Sequence, residues 1–516
     1  MQDDNRLVEL RAMIGDCTNK KKGAAEPGKL KITTRSIQAW KKSEVEEHAS
    51  EQSCWIIIDN SVYDVTDFLD SHPGGATVIL KYGGGDATAA FTPIHPTDTL
   101  QKFLKPQQKL GYVPGNEPIR KSRDASALQK AVSTESLAVQ PAPKKIKLSS
   151  VISISDFEEI AAKVLPPRSF AFFKTGAEDE YGLDWNRASW KYVRFRPRGL
   201  RPIENVDTSC TILGNKFSVP FFICPAGGGK LANPTGEVLM TKAAGKHGAL
   251  HWVCNGAGCT QEEMAAARTT DQTLYWQIYV KAELKISEQE IRNAVALGYK
   301  GFALTIDAIR AGKRESDVRA SLAEEALQQN DDAGEESESH EREPTVRRPP
   351  VWSSFDWPSA VKWMRGITDL PIAIKGIQCW EDAALCLHYG VHPWLSNHGG
   401  RQLDSAPSAI ETLVEMRQHC PEVFDRCEVI VDGGVERGSD IVKALALGAK
   451  AVGLGRAFLY ALVFGEAGVT KAMKILKHEI ETTMALLGVQ QLSELNSSYV
   501  DTSGLQYGAS FPRPRL

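Results

Sequence analysis

Eight short apolar runs, separated by amphipathic helical segments, are the feature that most constrains the fold. The runs cover residues 221–225, 250–253, 274–280, 301–307, 371–375, 394–397, 428–432 and 451–455. Helical patterns such as those over 236–247, 287–297 and 439–447 lie between them. Eight β/α units in one stretch predict an α/β fold, a (β/α)8 TIM barrel rather than an open sheet. We therefore expect the chemistry at the ends of these strands.

A small α+β domain is predicted ahead of the barrel. A hairpin pattern over 55–58 and 62–65, with Asp59-Asn60 at the turn, is followed by helical stretches over 77–81 and 86–91. The predicted organisation is an N-terminal extension (1–30), the small domain (31–115), a polar linker (116–150), the barrel domain (151–500) and a C-terminal tail (501–516). Residues 323–350 are acidic, then basic, which predicts a mobile surface loop.

Composition excludes several classes of partner. The chain has 516 residues with 61 Lys and Arg against 64 Asp and Glu, so its net charge is −3. Such a chain lacks the field that grips nucleic acid or an anionic membrane. No apolar run approaches the ~20 residues that span a bilayer. The ten cysteines show no framework, which predicts reduced thiols and a cytoplasmic location, with the mitochondrial intermembrane space as the alternative.

Two histidines in the small domain are candidate metal ligands. His72 begins an HPGG turn, and His95 follows in PIHP. Two such imidazoles can meet a flat ligand from opposite faces, although both could also be ordinary surface-turn residues. The surrounding segments DVTDFLDSHPGG, GGGDATAAFTPIH and KLGYVPG closely resemble the cytochrome b5 family. The resemblance implies one haem b held by His72 and His95.

Polar residues follow successive barrel strands and should meet in one mouth. They are Gln277, Tyr279, Thr305, Asp307, Lys375, His398, Arg401, Asp432, Gly433, Gly434, Gly455 and Arg456. The set contains a base in His398, a carboxylate that can orient it in Asp307, and anion binders in Arg314 and Arg401. The glycine-rich region after the last strands can cradle a phosphate.

The segments SNHGGRQLD, VDGG, KALALGAKAVGLGR and PIAIKG resemble the FMN-dependent 2-hydroxy acid oxidising family, which includes glycolate oxidase and lactate dehydrogenases. This resemblance covers about residues 154–487, and a haem domain ahead of such a barrel is the flavocytochrome b2 arrangement. It implies oxidation of an L-2-hydroxy acid to the 2-oxo acid on FMN, with electrons passing through haem b to a cytochrome c-type acceptor. We also expect a homotetramer.

The resemblance also implies residue roles. His398 takes a proton from the substrate, and Asp307 stabilises the imidazolium. Arg401 and Arg314 bind the substrate carboxylate, Tyr279 hydrogen-bonds the substrate, and Lys375 lies on the flavin N1/O2 side. The residues implied to bind the flavin are Ala226, Gly227, Cys254, Gln277, Thr305, Lys375, Asp432, Gly433, Gly434, Gly455 and Arg456.

Several positions depart from the family pattern. Phe172 stands where a tyrosine offers its hydroxyl to the substrate, and Gly228 lies in an AGG turn that usually reads TAL or TAM. Cys254 replaces a serine, and Gly256 occupies an aromatic position. Glu436 replaces a phosphate-side arginine, which is unfavourable unless Arg437 compensates, and 392–394 read HPW, an unusual choice for a buried strand. These changes predict a substrate larger than lactate.

Two other functions remain open from the sequence. The first is an FMN-dependent 2-hydroxy acid oxidase that uses oxygen and carries a vestigial haem domain. The second is a haem-binding electron carrier whose barrel is catalytically degenerate. Reduction of flavin and haem by added 2-hydroxy acids, followed without oxygen, separates these functions.

Overall fold

The structure is a computed structural model that describes residues 38–72, 76–92, 94–96, 98–114, 146–329 and 354–508. The predicted N-terminal extension, the residues that follow His72 in the HPGG turn, most of the linker and most of the acidic loop lie outside the described residues. None of the helices in these described ranges is long and apolar enough to cross a membrane.

The small domain is an antiparallel sheet with short helices. Its strands are β1 (Gln38–Ala39), β2 (Ala49–Ser50), β3 (Ser53–Ile58), β4 (Ser61–Asp64) and β5 (Lys109–Tyr112), and its helices are α1 (Lys42–Glu46), α2 (Ala76–Leu80), α3 (Thr88–Phe91) and α4 (Thr99–Phe103). Strands β5, β4, β3 and β2 pair in that order. Asp59 and Asn60 take φ values of 46° and 62°, which matches the twist of a two-residue hairpin and confirms the predicted turn.

Three helices and three short strands precede the barrel. They are α5 (Ile154–Val164), α6 (Pro167–Lys174), α7 (Tyr181–Ser189), β6 (Arg194–Phe195), β7 (Cys210–Ile212) and β8 (Asn215–Phe217). Helix α5 begins with a capping box in which Asp156 Oδ2 accepts the backbone N–H of Ser153 at 2.9 Å. Its buried face includes Phe157 and Ile160, so the helix packs onto the barrel core.

All eight predicted strands form one closed parallel barrel, so the predicted fold class is confirmed. They are β9 (Phe221–Ile223), β10 (Leu250–Cys254), β11 (Leu274–Ile278), β12 (Phe302–Thr305), β13 (Ile372–Ile377), β14 (His392–Leu395), β15 (Ile430–Asp432) and β16 (Ala451–Leu454). Strand β16 pairs with β9 and closes the barrel. Burial of these strands on both faces explains why each is a nearly continuous apolar run.

Helices follow the strands around the outside of the barrel. They are α8 (Gly229–Ala232), α9 (Glu237–Lys246), α10 (Gln261–Ala266), α11 (Leu284–Ala296), α12 (Glu315–Gln329), α13 (Trp357–Arg365), α14 (Trp380–Tyr389), α15 (Ala409–His419), α16 (Val423–Arg426), α17 (Gly438–Ala446), α18 (Arg456–Ala461) and α19 (Gly465–Leu487). The long helix α19 buries Val469, Leu476 and Ile480.

Aromatic side chains fill the barrel interior. The ring centroid of Trp394 lies 4.6 Å from that of Trp252 and 5.2 Å from that of Phe222, and all three side chains are buried. Trp394 belongs to the HPW segment, which does form strand β14. The imidazole Nδ1 of His392 accepts the backbone N–H of Glu428 at 3.0 Å, so this polar residue is satisfied at the strand start.

Some segments predicted as irregular are ordered elements. Helix α12 continues through residues 323–329, which we expected to belong to the acidic loop. Within the predicted tail, Asp501 belongs to strand β17 (Val500–Asp501), which pairs with β6, and helix α20 (Ser503–Gly508) follows. The predicted linker ends in a 3-10 turn at Leu148–Ser150. Pairing between β17 and β6 joins residues some 300 positions apart. Local sequence patterns therefore could not predict this strand pair.

Candidate active site

His398 is oriented by two side chains from other strand ends. It follows strand β14, and its backbone takes the left-handed conformation with a φ of 59°. Its imidazole Nδ1 lies 2.8 Å from Asp307 Oδ1. The Asp307 side chain is fully buried. On the other side of the ring, Nε2 lies 3.2 Å from the Tyr279 hydroxyl. A carboxylate at Nδ1 holds the imidazole in the tautomer whose Nε2 can accept a proton.

Lys375, at the middle of β13, is the centre of a buried polar network. Its Nζ donates to Ser396 Oγ at 2.9 Å and lies 3.7 Å from Asp307 Oδ2 and 3.8 Å from Asp432 Oδ2. Burial alone would lower the pKa of Lys375, but the two carboxylates outweigh burial and raise it. The lysine is therefore a fixed positive charge at the floor of the site.

Ser396 was missed from the sequence, although it is the first letter of SNHGGRQLD. Its hydroxyl donates to Asp432 Oδ1 at 2.6 Å, accepts from Lys375, and accepts the backbone N–H of His398 at 3.1 Å. The same aspartate accepts from Trp394 Nε1 at 2.9 Å. One serine thus links the histidine backbone to the lysine network, and nothing in its local sequence distinguishes it from a strand-end serine.

The two predicted carboxylate-binding arginines lie close to one acidic residue. The guanidinium of Arg401 donates to the backbone oxygens of Phe172 at 2.8 Å and Thr175 at 3.0 Å. Arg314 is buried on the loop before α12. Burial raises the pKa of Asp317, and the charges of Arg314 and Arg401 offset part of that rise. Both guanidinium groups line the cavity that contains His398.

Arg456, at the start of α18, holds three backbone segments together. Its guanidinium donates to the carbonyl oxygens of Phe173 at 2.9 Å, Gly399 at 2.9 Å and Thr175 at 3.1 Å. Burial lowers its pKa. These bonds show a role in joining α6 to the loop that carries His398, and the phosphate contact expected of Arg456 stays a prediction.

Most of the residues expected to bind flavin line one cavity of about 1830 Å³, and the other two, Gln277 and Thr305, are buried on strands beside lining residues. Gln277 donates to Thr305 Oγ1 at 2.7 Å, but its buried Oε1 has no hydrogen-bond partner. A ligand N–H, such as a flavin ring carries, would satisfy that orphaned acceptor. Those lining the cavity are Ala226, Gly227, Cys254, Lys375, Asp432, Gly433, Gly434, Gly455 and Arg456. The hydrogen-bonding groups and glycines of this cavity fit FMN.

Two of the unusual residues fit each other sterically. The Phe172 ring lies so close to Gly228 that a Cβ there would come within 2.9 Å of the ring, and Gly228 has a φ of 89°. The Arg401 guanidinium lies 5.3 Å from the centroid of the same ring. A Cβ on Gly256, by contrast, meets only Cys254 Sγ within 4 Å, at 3.5 Å. The cavity is therefore open beside Gly256.

Glu436 is compensated by Arg187 rather than by Arg437. Its Oε1 lies 2.9 Å from Arg187 Nε on α7, whereas Arg437 donates to Glu479 at 2.8 Å. Arg437, the residue considered from the sequence, therefore pairs elsewhere, and Arg187 offsets the charge of Glu436. Residues 187 and 436 are distant in the chain and meet only because α7 lies across the barrel mouth, which places Arg187 at the cavity.

The two histidines of the small domain face each other. The ring centroids of His72 and His95 are 6.0 Å apart. That gap accommodates one metal ion, because each metal–imidazole bond is about 2.1 Å long. His95 Nδ1 lies 3.1 Å from the Phe91 carbonyl oxygen, which directs Nε2 towards the gap. Burial lowers the pKa of His95 to about 4, so the ring is neutral and able to ligate. The pair fits bis-histidine haem ligation.

Comparisons with known proteins agree with the geometry of both sites. Residues 161–502 match the FMN-dependent dehydrogenase family, and residues 41–114 match the cytochrome b5-like heme/steroid binding domain. The chain belongs to the FMN-dependent dehydrogenase family. FMN and haem b are its cofactors, and it is an FMN- and haem-dependent 2-hydroxy acid dehydrogenase.

Individual relatives agree with this assignment. An L-lactate dehydrogenase (cytochrome) from Wickerhamomyces anomalus is 38% identical over 491 residues, which is 92% of this chain and 83% of the relative. A solved flavocytochrome b2 variant with pyruvate bound is 34% identical, with a TM-score of 0.64 over 72% of this chain and 94% of that chain. A solved mandelate oxidase with a phenylpropionic acid derivative is 31% identical, with a TM-score of 0.58 over 67% and 97%.

Proposed function

We propose that this enzyme oxidises an L-2-hydroxy acid with a side chain bulkier than that of lactate and passes the electrons through haem b to a c-type cytochrome. The observation that carries the proposal is the ordered Tyr279–His398–Asp307 set in a cavity that is open beside Gly256. The base supports oxidation of the acid, and the open space supports the larger side chain.

Each side chain has a distinct role in this proposal. Arg401 and Arg314 bind the substrate carboxylate, for which a guanidinium fork is well shaped. The Tyr279 hydroxyl donates a hydrogen bond to an oxygen of the substrate. His398 Nε2 takes a proton from the substrate. Asp307 stabilises the imidazolium that results. When bound, FMN accepts the two electrons released from the substrate, and haem accepts them singly.

Lys375 supplies charge where the cofactor would become anionic. Its protonated ammonium is fixed by Ser396 and by the two carboxylates, so it needs no reorganisation during the reaction. We propose that Gln277 and Thr305 contact the flavin ring. Gly433, Gly434, Gly455 and Arg456, with Asp432 beneath them, are proposed to hold the ribityl phosphate.

A bulky substrate is supported by two substitutions. Phe172 offers no hydroxyl to the substrate carboxylate, so a small acid loses one hydrogen bond. A larger acid offsets that loss by burying apolar surface against Phe172 and beside Gly256, at about 25 cal/mol per Å². The similar mandelate oxidase was solved with a phenyl-bearing hydroxy acid, which agrees with an aromatic side chain here.

The test is anaerobic reduction of the purified holoenzyme by lactate and by mandelate. We expect loss of the oxidised flavin absorbance, followed by the reduced-haem bands, and faster reduction by mandelate. Flavin reduction without haem reduction would favour the oxygen-using oxidase. Absence of any reduction by either acid, or by longer 2-hydroxy acids, would favour the electron carrier.

The acceptor, assembly and compartment belong to the same proposal. A c-type cytochrome is the proposed acceptor because a haem held by both His72 and His95 would transfer electrons rather than bind oxygen. All nine cysteines in the described residues are free thiols, which supports a reducing cytoplasmic environment, and the intermembrane space is the alternative. We propose a homotetramer, which light scattering of the purified protein would test.

A further inference from the structure

Helix α4 of the small domain lies against the segment that follows barrel strand β11. The Lys281 ammonium lies 5.9 Å from the ring centroid of Phe103, the last residue of α4. Lys102, the residue directly before Phe103, forms an ion pair at 2.7 Å with Asp98, the N-cap residue of the helix. The helix therefore presents an aromatic ring and a charged pair to the barrel.

Glu290 on α11 completes a cluster of alternating charge. Burial raises the pKa of Glu290, and the positive charges of Lys281 and Lys102 offset part of that rise, while Asp98 adds to it. Charges from both parts of the chain thus act on one half-buried carboxylate. None of these residues has a role in the oxidation chemistry described above.

Asn255 connects this carboxylate to the active site. Its Nδ2 donates to Glu290 Oε2 at 3.2 Å and to the Tyr279 carbonyl oxygen at 3.2 Å, and its Oδ1 accepts the Tyr279 backbone N–H at 3.3 Å. Asn255 therefore holds the Tyr279 backbone from both sides. The hydroxyl of the same tyrosine lies beside His398.

We propose that Lys281 and Glu290 form the docking surface for the haem domain, and that Asn255 links this surface to the position of Tyr279. The inference rests on the proposed function, because transfer of electrons from the barrel to the haem requires the two sites to be held close. One cavity is lined by both His95 and Tyr279, so a domain docked through α4 places the haem ligands beside the substrate site. Glu290 and Asn255 are positioning residues, since neither is proposed to touch substrate or cofactor.

The docking contact should be weak and sensitive to salt. It consists of one cation–π contact and partly exposed charges, and such interactions are screened within about 10 Å at 0.1 M salt. Removal of Lys281 should therefore change how long the haem domain stays docked, without altering the base, the carboxylate clamp or Lys375.

The test compares three variants with the unmodified holoenzyme. Lys281→Met removes the charge and keeps the length of the side chain. Glu290→Gln removes the charge but keeps an oxygen that can accept from Asn255. Lys285→Met is the matched control, because Lys285 is exposed on the same helix and is outside the cluster. Stopped-flow absorbance with a reducing 2-hydroxy acid follows flavin and haem separately, and hydrogen exchange of the α4 peptide is followed in the absence of substrate.

We expect Lys281→Met to slow haem reduction about two- to fivefold, the fold-change of one exposed cation–π contact, and to speed exchange of α4. Raising the salt concentration should reduce the difference between this variant and the unmodified enzyme. Glu290→Gln should also speed hydrogen exchange of α4. Glu290→Leu, which cannot accept a hydrogen bond from Asn255, should in addition raise the KM for the 2-hydroxy acid. The Lys285→Met control should match the unmodified enzyme in every measurement.

Unchanged haem reduction and unchanged α4 exchange in Lys281→Met and Glu290→Gln would overturn the docking surface. An unchanged KM in Glu290→Leu would overturn the link through Asn255. If no 2-hydroxy acid reduced the flavin, the proposed function would fail, whereas the exchange of α4 would still report on docking. The two failures are therefore distinguishable.

Discussion

Filling the space beside Gly256 should reverse the preference for a bulky substrate. A Cβ at this position meets only Cys254 Sγ, at 3.5 Å, which is ordinary van der Waals contact, and the backbone is not in the left-handed region. Gly256→Leu is therefore expected to fold, with its side chain in the cavity. A buried aromatic or aliphatic group contributes about 1.5–3 kcal/mol. Loss of that burial should reduce kcat/KM for mandelate by about 10- to 150-fold.

The assay is steady-state reduction of a one-electron acceptor such as ferricyanide, with lactate and mandelate as substrates. The kcat/KM for lactate should change by no more than about threefold, because the methyl group of lactate does not need the space that leucine fills. Gly256→Ala is the matched control, and its kcat/KM for mandelate should lie between those of the unmodified enzyme and Gly256→Leu. The reasoning is refuted if the unmodified enzyme prefers lactate, or if Gly256→Leu loses both substrates equally while it still binds FMN.

Four further predictions follow from the structure. His398→Gln should reduce substrate oxidation by about 10²–10⁴-fold with FMN still bound, and rapid turnover with stoichiometric flavin would remove the histidine from its role. His72→Ala or His95→Ala should abolish the haem spectrum and cytochrome reduction, whereas flavin reduction should survive; its loss in a folded variant would show that the two sites are not separable. Phe172→Tyr should raise kcat/KM for lactate up to about tenfold, the value of one neutral hydrogen bond, with little change for mandelate in parallel assays. Burial lowers the pKa of His251 from 6.5 to about 3, so below pH 6.5 the unfolded chain takes up a proton that the folded chain does not. The contribution of this histidine to the free energy of unfolding should therefore fall by about 1.4 kcal/mol per pH unit below 6.5. Denaturant titrations at several pH values should show a smaller loss of stability on acidification in His251→Asn than in the unmodified protein.

Two of the unusual residues of this chain, Phe172 and Glu436, each have a compensating partner. Phe172 packs against the turn where Gly228 leaves room, and a side chain at 228 would collide with its ring. Glu436 places a negative charge at the barrel mouth, and Arg187 pairs with it. Both changes are therefore accommodated by a second residue that is distant in sequence. Such compensation agrees with a working site adapted to another acid rather than with a degenerate barrel.

The sequence alone was sufficient for the order of the barrel strands and the hairpin of the small domain. Buried parallel strands are apolar on both faces, so each strand is visible as a short local run, and a two-residue turn depends on Asp59 and Asn60 themselves. The residues that follow the strands could likewise be named, since strand ends meet at one face of a barrel. Local patterns carried that information.

Only the tertiary structure decided which of those residues interact. The pairing of Arg187 with Glu436, rather than of Arg437 with Glu436, depends on where α7 crosses the barrel mouth. Ser396 became part of the site because its hydroxyl meets Lys375 and Asp432 from neighbouring strands. Ion pairs and hydrogen bonds act over a few ångströms, and closure of the barrel determines which distant residues come that close.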